Sequence, residues 1–275
     1  MPDAVKLILL SAFVISSLKG IAQSSESFEN LSIDRPDVSN LPVTVRPGHY
    51  QFEIGGESYK NDYARESIIP NFLLRTGLNK KSELRIGLNN LRQDSLYNNG
   101  IDKVLFATFS VKYRFVEEKG ARPSIAIQPE FALPFGNGKE YHRSHADFAE
   151  SDYAVFLLFN NSVHKKIFIN YNTGVYWNKE GRLDYLASAS TSFLHTHRLG
   201  YFLEVYTLIE DKKELPLSFD GGVTYLLSPR FQIDTYFGNR EDGEDRYWFY
   251  GAGVGFRIDP KDLKPKTFKD IGIHH

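Results

Sequence analysis

The chain contains no cysteine, a single methionine and two tryptophans. The first absence removes disulfide frames, thiolate metal sites and cysteine nucleophiles together. A charge excess of either sign is also missing: 33 Lys and Arg stand against 34 Asp and Glu, a formal net charge of −1. That balance argues against a nucleic-acid or polyanion partner. Nor does any apolar run approach the roughly 18–20 residues of a membrane-crossing helix. What the chain has in quantity is aromatic residues, 21 Phe and 16 Tyr, and an apolar pattern that repeats every second residue.

The pattern is clearest near the end of the sequence. Trp248, Tyr250, Ala252, Val254, Phe256 and Ile258 alternate with Tyr247, Phe249, Gly251, Gly253, Gly255 and Arg257. A period of two is the pleat of a β-strand. One face is continuously apolar and carries aromatics toward both ends; the other is small or charged. This is the pattern of a strand in a transmembrane barrel, with lipid on one side and a lumen on the other. Such a closing strand needs a first strand to pair with.

Twelve strands are expected, over 48–60, 66–78, 82–92, 103–117, 122–135, 151–163, 166–178, 183–195, 198–211, 216–228, 230–240 and 246–258. Every second connector is short: Asn79 to Lys81, Glu118 to Ala121, His164-Lys165, Thr196-His197 and Pro229. Short periplasmic turns alternating with longer outer loops, on an even strand count, are the rule for outer-membrane barrels. The fold class is therefore all-β, a transmembrane antiparallel up-and-down barrel of about twelve strands. The segment around Tyr153 to Phe159 is apolar on both faces and fits least well.

The ends point to export. Lys6 precedes the apolar run Leu7 to Ile15, and Gly20 and Ala22 occupy the small −3 and −1 positions before Gln23. Cleavage after Ala22 is expected. The layout is then a signal peptide over 1–22, a periplasmic leader over 23–47, the barrel over 48–258 and a periplasmic tail over 259–275. Pro36 and Pro42 keep the leader out of regular strand pairing.

Several stretches resemble the bacterial outer-membrane family of the phenol-degradation MetA-pathway type. They are Asp34-Arg35-Pro36-Asp37, Pro42 to Glu53, Leu74 to Leu78 with Glu83 to Gly87, Asp220 to Pro229 and Gly251 to Arg257. The likeness runs from about 33 to 258 in order. It implies a barrel and a transport role, without naming a solute. Outer-membrane lipid and the barrel-assembly machinery are the partners such a chain implies; no cofactor is called for.

Alternation places Glu53, Arg75, Glu83, Arg85, Lys112, Arg114, Glu130, Glu204, Asp220, Asp234 and Arg257 on the lumen side. A charge facing lipid near the midplane costs about 2–4 kcal/mol, so these belong inside. They can form a constriction that selects solutes, or pair with one another and fill a narrow barrel. Arg75, Arg85, Lys112 and Arg114 are expected on one wall near the periplasmic mouth. Glu53 and Glu83 offset them, and the leader residues Asp34, Arg35 and Asp37 can plug the mouth against Arg75, Arg85 or Arg114. Two other classes compete with a channel. A barrel lipid hydrolase needs a Ser and His within reach of each other, and no nucleophile-elbow motif is present. A soluble or adhesive β-protein would not need glycine and arginine opposite apolar faces. His142, His145 and Asp147 have spacing that could hold a metal, but Arg143 lies between them and a solvated loop is the simpler reading.

Overall fold

The computed structural model describes residues 31–35, 38–61, 64–95, 101–135, 153–177, 183–210, 215–242 and 245–259. Residues 1–22, expected to direct export, together with Asp37, the His142 to Asp147 stretch and the residues beyond Asp259, lie outside the described residues. The described residues form twelve strands: β1 (Tyr50–Lys60), β2 (Ala64–Gly77), β3 (Ser82–Ser95), β4 (Ile101–Val116), β5 (Ser124–Phe135) and β6 (Tyr153–His164). The second half is β7 (Ile167–Trp177), β8 (Leu183–Leu194), β9 (Leu199–Glu210), β10 (Ser218–Ser228), β11 (Phe231–Asp242) and β12 (Asp245–Ile258). Each strand pairs antiparallel with its neighbours in sequence, and β1 closes on β12 to complete the barrel. The closing register runs from Tyr50 opposite Ile258 to Lys60 opposite Trp248. Closure leaves no unpaired strand edge, which a membrane does not tolerate.

Side-chain alternation follows the pleat. On β12, Trp248, Tyr250 and Ala252 are exposed, whereas Tyr247, Phe249, Gly251 and Gly255 are buried. On β3, Glu83, Arg85 and Gly87 point in and Leu84, Ile86 and Leu88 point out. Outward aromatics link strand to strand near the long-loop end. Phe109, Phe131, Tyr153 and Trp177, on β4 to β7, have ring centroids 6.2, 6.0 and 5.7 Å apart in succession. Toward the other end Phe52 lies between Phe72 and Phe256, at 6.2 and 5.0 Å. Trp248 and Phe256 are eight positions apart on β12, about 27 Å along a strand. Two such aromatic bands bracket an apolar belt, the arrangement of a barrel wall between two membrane interfaces.

The double-apolar segment of β6 has a local explanation. Its inward residues Ala154, Phe156 and Leu158 pack with Ala126, Tyr176, Leu186 and Leu208 from β5, β7, β8 and β9. Val38 of the leader packs against the same group. This sector of the lumen is a small hydrophobic core, so both faces of β6 must be apolar.

Candidate functional site

The described part of the leader, residues 31–35 and 38–49, runs through the lumen and back before β1 begins. It is anchored at the short-turn end, where the Leu31 N–H donates to the Pro229 carbonyl at 3.2 Å. Ile33 lies in the space above Gly255, where an added Cβ would fall 2.5 Å from Ile33 Cγ2. Arg35 lies over Gly55 and Gly253, where a Cβ would come within 2.2 and 2.7 Å of its guanidinium. The glycines on the inner face of β12 and β1 are therefore the trough in which the leader rests. Farther on, the N–H groups of Val38 and Ser39 donate to Glu204 at 2.6 and 2.8 Å, and the Asn172 amide donates to the Asn40 carbonyl at 3.1 Å. The Ser39 hydroxyl also donates to Glu204 and lies 2.8 Å from that of Ser188. The returning strand of leader donates from Val45 N–H to Glu83 at 2.7 Å and bridges Pro47 to Gly77.

Asp34 is at the centre of a buried charge cluster. It forms ion pairs with Arg85, with Lys112 at 2.7 Å and with Arg75 at 3.4 Å. Arg75 uses its whole fork. Nε and Nη2 grip the two oxygens of Glu83 at 3.0 and 3.1 Å, and Nη1 reaches Glu53 at 3.1 Å. The same Nη1 and Nη2 donate to the leader carbonyls of Ser32 and Val43, each at 3.1 Å. Lys112 Nζ donates to the Leu41 carbonyl at 2.7 Å, and Gln51 ties Glu53 to the Ser32 carbonyl at 2.8 Å each. Arg75, Lys112, Glu53 and Glu83 are 0 % exposed. Three cations thus meet three carboxylates, and one of the three carboxylates, Asp34, arrives on the leader. Burial opposes the charge on Asp34, yet Arg75, Lys112 and Arg85 outweigh it and hold its carboxyl well below the usual carboxylate range.

A second group lies across the lumen. Glu204 of β9 is directly opposite Asp220 of β10, and Asp234 of β11 lies opposite Gly253 of β12. Arg35 stands 3.7 Å from Asp234, donates to the Ala252 carbonyl at 3.3 Å and lies 5.8 Å above the Tyr236 ring. Glu57, on β1, accepts from the Tyr59 hydroxyl at 2.5 Å. Glu130 lies opposite Ser110 and within 3.4 Å of the Gln128 amide.

Two of the candidate lumen charges stand at the rim instead. Arg114 donates to the Lys80 carbonyl at 3.0 Å and lies 3.9 Å from Glu117, so Lys112 and not Arg114 meets Asp34. Arg257 donates to Asp259 at 3.0 Å, and Asp259 also meets Arg230 at 2.7 Å and His49 at 3.4 Å. Alternation assigns a side chain to a face but not to a depth. Both residues lie close enough to their strand ends for the side chain to turn toward the turn and the solvent.

Sequence reasoning passed over Val38, Ser39, Gln51, Tyr236 and the apolar sector of β6 to β8. The glycine run on β12 was the available signal, since a row of missing side chains inside a narrow barrel implies that something else fills the space.

The family model described as "Putative MetA-pathway of phenol degradation" matches residues 33–258. The chain belongs to this family. Among solved structures, the KdgM porin is similar at 11 % identity and a TM-score of 0.51, over 75 % of this chain and 99 % of that one. The NanC porin has 10 % identity and a TM-score of 0.53, over 75 % and 100 %. The COG4313 outer membrane channel from Pseudomonas putida F1 has 15 % identity and a TM-score of 0.50, over 82 % and 100 %. At these identities the shared property is the barrel fold. No curated protein matches the chain.

Proposed function

We propose that this family member is an outer-membrane channel for a small solute, closed by its own leader. In this reading the chain is exported, cleaved after Ala22 and inserted by the barrel-assembly machinery, with the short turns and the leader on the periplasmic side. The observation that carries it is the charge balance at Asp34. The wall alone brings Arg75, Arg85 and Lys112 against Glu53 and Glu83, and the leader supplies the missing carboxylate. A static filler gains nothing from leaving its charge balance to a detachable segment, whereas a gate does. Porins and an outer membrane channel share the fold, and the buried mixed charges supply the selectivity that a channel of this kind needs.

Deletion of residues 33–41 tests this directly. In planar bilayers the intact chain should conduct little. The deletion should conduct freely, because the segment that fills the lumen between the cation wall and the acidic wall is gone. A deletion that still migrates as a heat-modifiable barrel yet carries no more current than the intact chain would mean the charges are packing alone.

A further inference from the structure

We infer that the acidic wall around Asp234 is a binding subsite for small organic cations carrying an aromatic or apolar body, and that Arg35 of the leader occupies it as a tethered stand-in. The inference rests on the channel reading for the access that would bring a solute there. Three features mark a built slot. The first is shape: Gly55 and Gly253 lack the side chains that would collide with the Arg35 guanidinium, whose near atoms would fall 2.2 and 2.7 Å from an added Cβ. A flat cation fits the gap and a tetrahedral side chain at either glycine does not.

The second is charge. Asp234, with a side chain 0 % exposed, takes no hydrogen bond on either oxygen. Glu57 and Glu53, both on β1, add negative charge toward Arg35 from the neighbouring strand. Buried carboxylates without donors are costly, and a cation in the slot offsets that cost. Arg240, also on β11, is six positions from Asp234, about 20 Å along a strand. The third is the aromatic surround. The Tyr236 ring faces the guanidinium at 5.8 Å and meets Phe249 edge-on at 6.2 Å, with Phe202 in the same cluster. Aromatic faces attract guanidinium and substituted ammonium groups.

Arg35 holds this slot loosely. It stands 3.7 Å from Asp234 without a hydrogen bond to it, donates once, at 3.3 Å, to a backbone carbonyl, and its Nε has no acceptor. The neighbouring Asp34, by contrast, is saturated. An occupant bound this weakly is exchangeable. A free cation with the same planar head can take its place when the leader moves, without disturbing the lock at Asp34. Burial opposes the charge on Arg35, but the facing Tyr236 oxygen, Asp234 and Glu57 outweigh it and keep its guanidinium charged.

The test uses the full mature chain in detergent micelles and two probes with the same ring, benzylguanidinium and benzoate. Calorimetry should show Arg35→Ala binding benzylguanidinium at least tenfold more tightly than the unaltered chain, with no benzoate binding. Adding Asp234→Asn, or Gly55→Val to fill the slot, should remove that affinity. Equal binding of both probes overturns the assignment. So does benzylguanidinium binding that survives Asp234→Asn, or its absence in Arg35→Ala. Because calorimetry needs no current, its outcome is independent of the bilayer test: if the 33–41 deletion stays non-conducting while Arg35→Ala still binds the cation, the channel reading alone fails.

Discussion

The two sides of the lumen treat the leader in opposite ways. On β2 to β4, Arg75, Arg85 and Lys112 converge on Asp34, with every donor of Arg75 engaged. On β9 and β11, Glu204 accepts from the N–H groups of Val38 and Ser39, and Asp234 faces Arg35 without a close donor. The leader answers both walls with adjacent residues. In an extended segment successive side chains point to opposite sides, so Asp34-Arg35 delivers an anion to one wall and a cation to the other without any turn between them. One wall is a lock and the other a rest. The asymmetry is one of satisfaction, since Asp34 is held by three cations while Asp234 takes no hydrogen bond on either oxygen.

Substituting the two leader residues separately should expose that difference. Asp34→Asn leaves three buried cations against two carboxylates, and breaking a buried ion pair costs about 3–5 kcal/mol. Docking of the leader should weaken a hundredfold or more. Arg35→Gln removes one backbone hydrogen bond and a loose ion pair, so the expected loss is about 1 kcal/mol. The chain has no cysteine of its own, which makes a single Val38→Cys a clean reporter. Its maleimide labelling should rise a hundredfold or more with Asp34→Asn and only about fivefold with Arg35→Gln, the factor that about 1 kcal/mol gives. Equal rates in the two variants would erase the distinction between lock and rest.

The trough can be tested apart from charge. Gly255→Ala places a methyl 2.5 Å from Ile33 Cγ2 on the leader, and overpacking of this kind costs about 1–3 kcal/mol. Labelling at Val38→Cys should rise by tenfold or so while the barrel stays heat-modifiable. Shortening the partner, Ile33→Ala, should restore protection in the double variant. If the double variant labels as fast as Gly255→Ala alone, the glycine serves the sheet and not the leader.

The barrel itself was legible because its signals are periodic. Alternation on β3, β4 and β12 and the short turns at Pro229 or His164-Lys165 each follow from strand geometry alone. The site was only half legible, for the same reason. Period two puts Lys112 and Arg114 on one face, yet says nothing of height. Lys112 reaches Asp34 and Leu41, while Arg114, two positions nearer the strand end, folds back to Lys80. Nor could pattern reveal that Phe156 and Leu158 point into the barrel, since the space they fill is shaped by Val38, a residue more than a hundred positions away.

Acid offers the finest cut between the walls. Asp34 has a pKa well below the ordinary range because three cations surround it when the leader is docked. A group depressed in the docked state contributes stability that is present above its free pKa and is lost only as pH falls through the docked value. For Asp34 that window lies below about pH 4, the ordinary carboxylate pKa. The contribution of Asp34 is the labelling difference between the parent and Asp34→Asn, each carrying Val38→Cys, so titration of other groups common to both largely cancels. That difference should be the same at pH 7 and at pH 5, and should begin to shrink only in stronger acid. A difference that already collapses between pH 7 and pH 5 would mean that Asp34 takes up a proton while docked. The three cations would then not be holding its charge, and the cation wall would be no more of a lock than the acidic one.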